Sequence, residues 1–290
     1  MENLTETGRT LGSRLNRRKF IKGAGMASLG AAATTLTLGN VFTLRAATTA
    51  DTVQEILTAA LIAEDLATTF YYNGLIGPVI QDPNLAGSGG SANDVSSNGN
   101  AGNVNYLQAA LSEEISHADL LRGLLAGPPG SPVPPASKDP VQTFYFPAGS
   151  FAALGPFLQL LDALESAFIG AYMTAVEEFA TMGAQSAAKP GSSPFNPRQL
   201  AYFAKVASSI LGVESEHRVL GRVIGNVNPA NNLCYEQTDG LTSVYNGPHS
   251  AVVALTPFLT SRTGPAYSFA EALSNAKSVS LPCSGGPPSP

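Results

Sequence analysis

Charge is scarce in this chain. Only 13% of its 290 residues are Asp, Glu, Lys or Arg, against 44% hydrophobic residues. The mean hydropathy of +0.08 raises the question of a membrane protein. The first apolar stretch, Gly23 to about Leu44, is rich in Gly, Ala and Thr and short of Leu and Ile, which disfavours a permanent span. Cysteine is nearly absent: Cys234 and Cys283 lie late in the chain, outside the motifs described below, which argues against a cysteine-ligated metal. Histidine is almost as rare, with three in all.

Two of those three histidines occupy the same pattern. Glu114-Ile-Ser-His117 and Glu214-Ser-Glu-His217 are both Glu-x-x-His, separated by 100 residues. On a helix, positions i and i+3 share a face one turn apart, so a carboxylate and an imidazole at this spacing can hold one ion from the same side. The similarity extends beyond the motif. At an offset of 100, Leu120 maps to Leu220 and Arg122 to Arg222; at 101, Glu64 maps to Glu165 and Tyr71 to Tyr172. Each half therefore reads as a helix carrying one Glu, a loop, and a helix carrying Glu-x-x-His. Two such hairpins packed about a pseudo-twofold axis bring six candidate ligands to one depth: Glu64, Glu114, His117, Glu165, Glu214 and His217. A glutamate on an apolar helix stripe is costly unless paired or metal-bound, and four of them with two histidines suit a two-metal core.

The N-terminal residues carry a targeting signature. Arg17-Arg18-Lys19-Phe20-Ile21-Lys22 resembles the twin-arginine export motif, and the weakly apolar stretch behind it leads to small residues at Ala46-Ala47. A signal peptide over 1–46 is expected, with an uncleaved anchor as the alternative. Residues 1–46 hold seven Lys/Arg and two Asp/Glu, leaving nine basic against nineteen acidic residues and a net charge of −10. That balance argues against nucleic acid or an anionic membrane as partner. In an exported protein Cys234 and Cys283 can form a disulfide across a loop-rich tail; two free buried thiols are the alternative.

Helical periodicity and end signals predict four long helices. The first starts near Asp51, with Gln54 completing a capping box, and runs to Ile76. The second runs from Asn103 or Asn105 to Ala126, where Gly127-Pro128-Pro129-Gly130 stops it. The third runs from about Ser150 to Met182, with Pro156 in its first turns. The fourth is capped by Asn196 with Pro197 at its first position, and ends near Gly225-Asn226. Residues 83–103 read as an exposed, mobile insertion. The Pro-rich stretch 127–149, with its aromatic patch Phe144-Tyr145-Phe146, is long enough to travel the length of a bundle. The tail 226–290 is turn-rich, with short helices expected at 249–259 and 267–277 and a disordered end.

Several residues have open roles. Tyr71 and Tyr172, two turns beyond their glutamates, either hydrogen-bond near the metals or pack the core. Asp65 and Asp162 are candidates to support a ligand histidine, with a surface position the leading expectation for Asp65. Glu113, Glu177, Glu178 and Glu216 are solvated or support the ligands, and His249 is structural.

Taken in this helix order, Glu64, Glu165 and the two Glu-x-x-His motifs resemble the ferritin-like superfamily over about residues 51–225. The leader and long loops more narrowly resemble exported bacterial ferritin-like proteins of the desiccation-related group. The resemblance implies an all-α four-helix bundle with one long crossover (47–225), holding two divalent ions of iron or manganese. It also implies chemistry of the ferroxidase, peroxidase or manganese-catalase kind, with peroxide or dioxygen as the small oxidant, translocation by the twin-arginine machinery, and a periplasmic or extracellular location. The paired cysteines of a rubredoxin centre, found in rubrerythrins, have no counterpart here. A non-enzymatic, stress-protective or cell-surface role is the alternative, and a homo-oligomer fits either.

Overall fold

The computed structural model describes residues 51–191, 193–229 and 251–282. Four long helices dominate: α1 (Val53–Ile76), α2 (Ala101–Ala126), α3 (Leu154–Ala188) and α4 (Pro197–Ile224). The start of α1, the ends of α2 and α3, and the start of α4 together line one cavity, through Val53, Leu57, Leu125, Met182 and Phe203. Hence α2 runs antiparallel to α1, α3 runs parallel to α2, and α4 returns antiparallel to α3. The connection after α2 must therefore travel back the length of a 26-residue helix, about 39 Å at 1.5 Å per residue. This is the all-α bundle with one long crossover.

Local chemistry sets the helix ends, in places shifted from expectation. The cap of α1 is Thr52, whose hydroxyl accepts from the Glu55 amide while the Glu55 carboxylate accepts from the Thr52 amide. The expected Asp51–Gln54 box is thus displaced by one residue, and Asp51 is buried outside the helix. Asn100 rather than Asn103 or Asn105 caps α2: its side chain accepts from the Asn103 amide, leaving Asn103 in the first turn. The third helix starts at Leu154, later than Ser150, and extends past Met182 to Ala188. Pro156 fits its third position because a first-turn amide has no partner inside the helix to lose. The Asn196–Gln199 capping box of α4 forms as expected. Its far end closes with Asn226 at φ 54° and the Val227 amide bonded back to the Arg222 carbonyl, the arrangement that satisfies final-turn carbonyls.

Two connections are more ordered than their composition suggests. Residues 83–103 fold back on themselves. Leu85, Ala86 and Ala92 are buried, the Asn100 amide bonds the Leu85 carbonyl at 2.6 Å, and the Ser96 amide bonds the Ala86 carbonyl at 2.9 Å. Gly90 and Gly99 approach the Ala86 backbone so closely that a Cβ at Gly90 would lie 2.1 Å from its carbonyl oxygen. The expected insertion lies at the surface, with about half of its residues exposed, but it is anchored by these buried residues and backbone bonds. The crossover contributes strand β1 (Thr143–Tyr145), paired antiparallel with β2 (Ala266–Ser268) from the tail, a ladder that helical periodicity could not reveal. Phe144 within β1 and Phe146 just after it are fully buried. Phe146 meets Phe70, Phe151 and Phe258 at centroid distances of 5.2–5.8 Å.

The tail packs along the bundle through two short helices, α5 (Ala251–Leu255) and α6 (Phe269–Ala276). Leu259, Phe269 and Ala276 join the main core. The Gln108 amide group donates to the Val279 carbonyl at 2.8 Å, and the Ser112 hydroxyl to that of Leu281 at 2.5 Å. The leader, His249, Cys234, Cys283 and the end of the tail lie outside the described residues.

The core forms two apolar clusters. One holds Val53–Leu61 of α1, Leu121 of α2, Phe179 of α3 and Leu200–Ile210 of α4; the other holds Leu66–Leu75, Val104–Leu111, Leu161–Phe168 and Ile224. On α2 and α4 the gap between the clusters falls at the Glu-x-x-His motifs.

Candidate metal centre

Six side chains from four helices fill that gap. Ligand atoms of Glu64, Glu114, His117 and Glu214 lie within 4.8 Å of one another, as do those of Glu114, Glu165, Glu214 and His217. The two sets define adjacent positions, each with three carboxylates and one imidazole. Glu114 and Glu214 belong to both sets and stand between them. The four glutamates and His217 are at most 1% exposed, while the His117 side chain is 12% exposed.

Both imidazoles face the site through Nδ1. In His117 it lies 3.2 Å from Glu64 and 3.6 Å from Glu214; in His217 it lies 3.0 Å from Glu114. The opposite nitrogen of His217, Nε2, is 2.8 Å from the Glu113 carboxylate. With the proton on Nε2, the Nδ1 lone pair is free to bind a cation.

The tyrosines cross between the two halves. Tyr71 of α1 donates its hydroxyl to Glu165 Oε1 of α3 at 2.5 Å, and Tyr172 of α3 donates to Glu64 Oε1 of α1. Burial, then the neighbouring glutamate charges, raises both phenols well above their usual range, so they remain protonated donors. Each outer carboxylate thus has one oxygen tied to a tyrosine and the other turned inward.

The remaining inward atoms lack hydrogen-bond partners. Both oxygens of Glu114, Oε2 of Glu165, Oε2 of Glu214 and Nδ1 of His217 are buried without a well-formed hydrogen bond among the described residues, the closest approach being the 3.0 Å between His217 Nδ1 and Glu114. Buried polar atoms are ordinarily paired, and a cluster of orphaned acceptors is what a cation satisfies. Burial, then neighbouring carboxylates, raises Glu114, Glu165 and Glu214 above the ordinary carboxylate range. Burial disfavours a charged His117, but Glu64 and Glu114 outweigh it and push the imidazole up to about 11. The donor set therefore draws positive charge, as protons or as metal ions, and fits a pair of divalent ions.

Other expectations need correcting. Asp162 does not support a histidine: it pairs with Arg222 at 3.0 Å near the surface. Asp65 is fully buried rather than superficial, and it too has an arginine partner. Arg122 reaches Asp65 at 2.9 Å, Asp139 of the crossover at 2.6 Å and Asp119 at 2.6 Å, and its guanidinium lies over the Phe269 ring. Burial, then the nearby Asp139, raises the Asp65 carboxyl well above its usual range despite Arg122. Arg122 thus joins α1, α2, the crossover and the tail beside the site. Its match to Arg222 in the internal repeat was the available signal, but repetition does not reveal which carboxylates each arginine meets. Glu177 and Glu216 are exposed, whereas Glu113 contacts a candidate ligand.

Residues 52–189 match the family model of the ferritin-like domain. The chain carries a ferritin-like domain, and the match ends just before α4, which brings Glu214 and His217 to the site. No curated protein and no solved structure matches the chain.

Proposed function

We propose that this ferritin-like protein binds two divalent ions of iron or manganese and performs redox chemistry with peroxide or dioxygen. The observation that carries the reading is the pair of overlapping ligand sets sharing Glu114 and Glu214. Carboxylate-rich sites with imidazole suit these metals better than thiolate-selecting ones. Such an ion pair, when bound, would pass electrons from ferrous ions to dioxygen or peroxide and would supply the Lewis acidity for that reduction.

The protein's own part is positioning. Glu64 and Glu165 hold the outer sides, each fixed by a tyrosine hydroxyl. Glu114 and Glu214, whose inward oxygens touch the imidazoles and have no tyrosine to tie them, can change how they bind and open a position for a small molecule. Apolar clusters above and below exclude bulk water, and partly exposed His117 marks the side from which a small oxidant would enter.

Export belongs to the same proposal and rests on Arg17-Arg18 and the stretch behind them. The twin-arginine route carries folded proteins, so the metals would be loaded before translocation and the protein would act in the periplasm or outside the cell.

Metal analysis of protein purified from the cell envelope tests the reading when combined, on the same sample, with peroxide-decomposition and ferrous-oxidation assays. Two iron or manganese ions per chain with either activity are expected. Stoichiometric zinc, or an empty and inactive site, would refute it.

A further inference from the structure

The two metal positions are built unequally, and the inequality traces to one residue that the internal repeat does not copy. Glu113 lies one residue before the α2 motif; the equivalent place before the α4 motif is Val213. The Glu113 carboxylate reaches across to α4 and sits 2.8 Å from Nε2 of His217. Nε2 of His117 has no corresponding hydrogen bond among the described residues, and its side chain is 12% exposed against 1% for His217. The edge of Tyr71 closes on His217 as well, at 5.7 Å and 68° between ring planes.

Resting on the dimetal reading above, we propose that Glu113 is a positioning residue. By holding the Nε2 proton of His217, it fixes the ring with Nδ1 toward the site. The Glu114–Glu165–Glu214–His217 position is then the tightly held one, and the Glu64–Glu114–His117–Glu214 position the exchangeable one. The Glu113 side chain is 49% exposed, so its charge remains hydrated while its hydrogen bond orders a buried ring. Carboxylates that bond the far nitrogen of a ligand histidine fix its tautomer and orientation, and their loss typically weakens metal binding about 10–100-fold. His117, with only the site side of its ring engaged, is freer to rotate and release an ion toward solvent. The chain therefore has one resident position and one where an ion can arrive and leave, as turnover of a ferrous substrate requires.

Calorimetric titration of the chelator-stripped full chain with manganese(II) tests this. Wild type is expected to bind two ions in separable steps. Glu113→Ala should weaken the tighter step about 10–100-fold while changing the weaker step by less than about threefold. Glu113→Gln, which keeps an oxygen acceptor, should recover most of the loss, and His117→Ala should remove the weaker step alone. Glu113 is half-exposed, and an unchanged melting temperature of the metal-free variant shows that the fold is intact. Two equal steps in wild type, equal weakening of both steps in Glu113→Ala, no effect of that variant, or loss of the tighter step in His117→Ala would each overturn the inference. Failure of wild type to bind either manganese(II) or, under anaerobic conditions, iron(II) would instead overturn the dimetal reading on which it rests.

Discussion

Replacing Glu165 with glutamine separates what the site costs the fold from what it gives the metal. Glu165 is 1% exposed; Oε1 accepts from Tyr71 at 2.5 Å, and Oε2 has no hydrogen-bond partner. Burial first, and Glu214 and Glu114 next, raise its carboxyl well above the usual range against the opposing pull of His217. The folded protein therefore holds this proton more firmly than the unfolded chain, and the stability tied to it is lost as pH rises through the folded value. Glutamine has nearly the same volume, keeps an oxygen for Tyr71 and carries no charge. A carboxyl that folding raises above its unfolded value destabilises the fold at neutral pH by about 1.4 kcal/mol for each tenfold gain in proton affinity, and glutamine removes that cost. Even about 1 kcal/mol raises the melting temperature of a domain this size by about 2–4 °C. Metal acts in the opposite direction: an ion at a hundred times its dissociation constant stabilises the protein by about 2.7 kcal/mol. Glu165→Gln removes one of the four donors at one position and should lose much of that gain. Scanning calorimetry at pH 7.5 should show the variant melting above wild type in chelator and below it in excess manganese. A variant that melts lower in chelator, yet gains the full metal-dependent shift, would refute this account.

Other expectations follow from the same geometry. His117 is raised to about 11, so its stabilising contribution in chelator is complete below the unfolded value of about 6.5 and lost as pH rises through about 11. Melting temperature in chelator should fall over that window, whereas metal affinity should rise by about tenfold per pH unit for each proton displaced. Arg122→Ala leaves buried Asp65 and Asp139 without their shared cation and should cost about 3–5 kcal/mol, read as a lower urea midpoint. Gly74→Ala places a Cβ 2.5 Å from the Phe157 ring, which stacks on Phe70 at 4.5 Å. It should destabilise by about 1–3 kcal/mol and alter the near-ultraviolet circular dichroism.

Much of the bundle is legible locally. The Asn196–Gln199 box and Pro197 mark the start of α4 within the span of a single turn, and Glu-x-x-His puts its two side chains on one face whatever surrounds it. Composition is a poor guide where contact between distant segments decides the structure. Residues 83–103 are rich in Gly, Ser and Asn, yet Gly90 and Gly99 are small because the Ala86 backbone passes beside them. Phe144 and Phe146 lie in a Pro-rich stretch, and their partners are a strand and a helical segment more than 100 residues later. Asp65 sits in sequence like a surface acid, but the arginine that holds it belongs to α2 and the second carboxylate to the crossover.

By itself the sequence determined the donor types, their one-turn spacing and their twofold repetition, because these depend only on the residue order and on helix geometry. Tertiary structure decided which atoms meet. The mutual register and rotation of α1 to α4 turn both imidazoles inward through Nδ1 and pair each tyrosine with the other half's glutamate. They also place Glu114 and Glu214 between the two positions and bring Glu113 to His217 alone. Those choices rest on distances of a few ångströms between helices distant in the chain, and no periodicity within one helix encodes them.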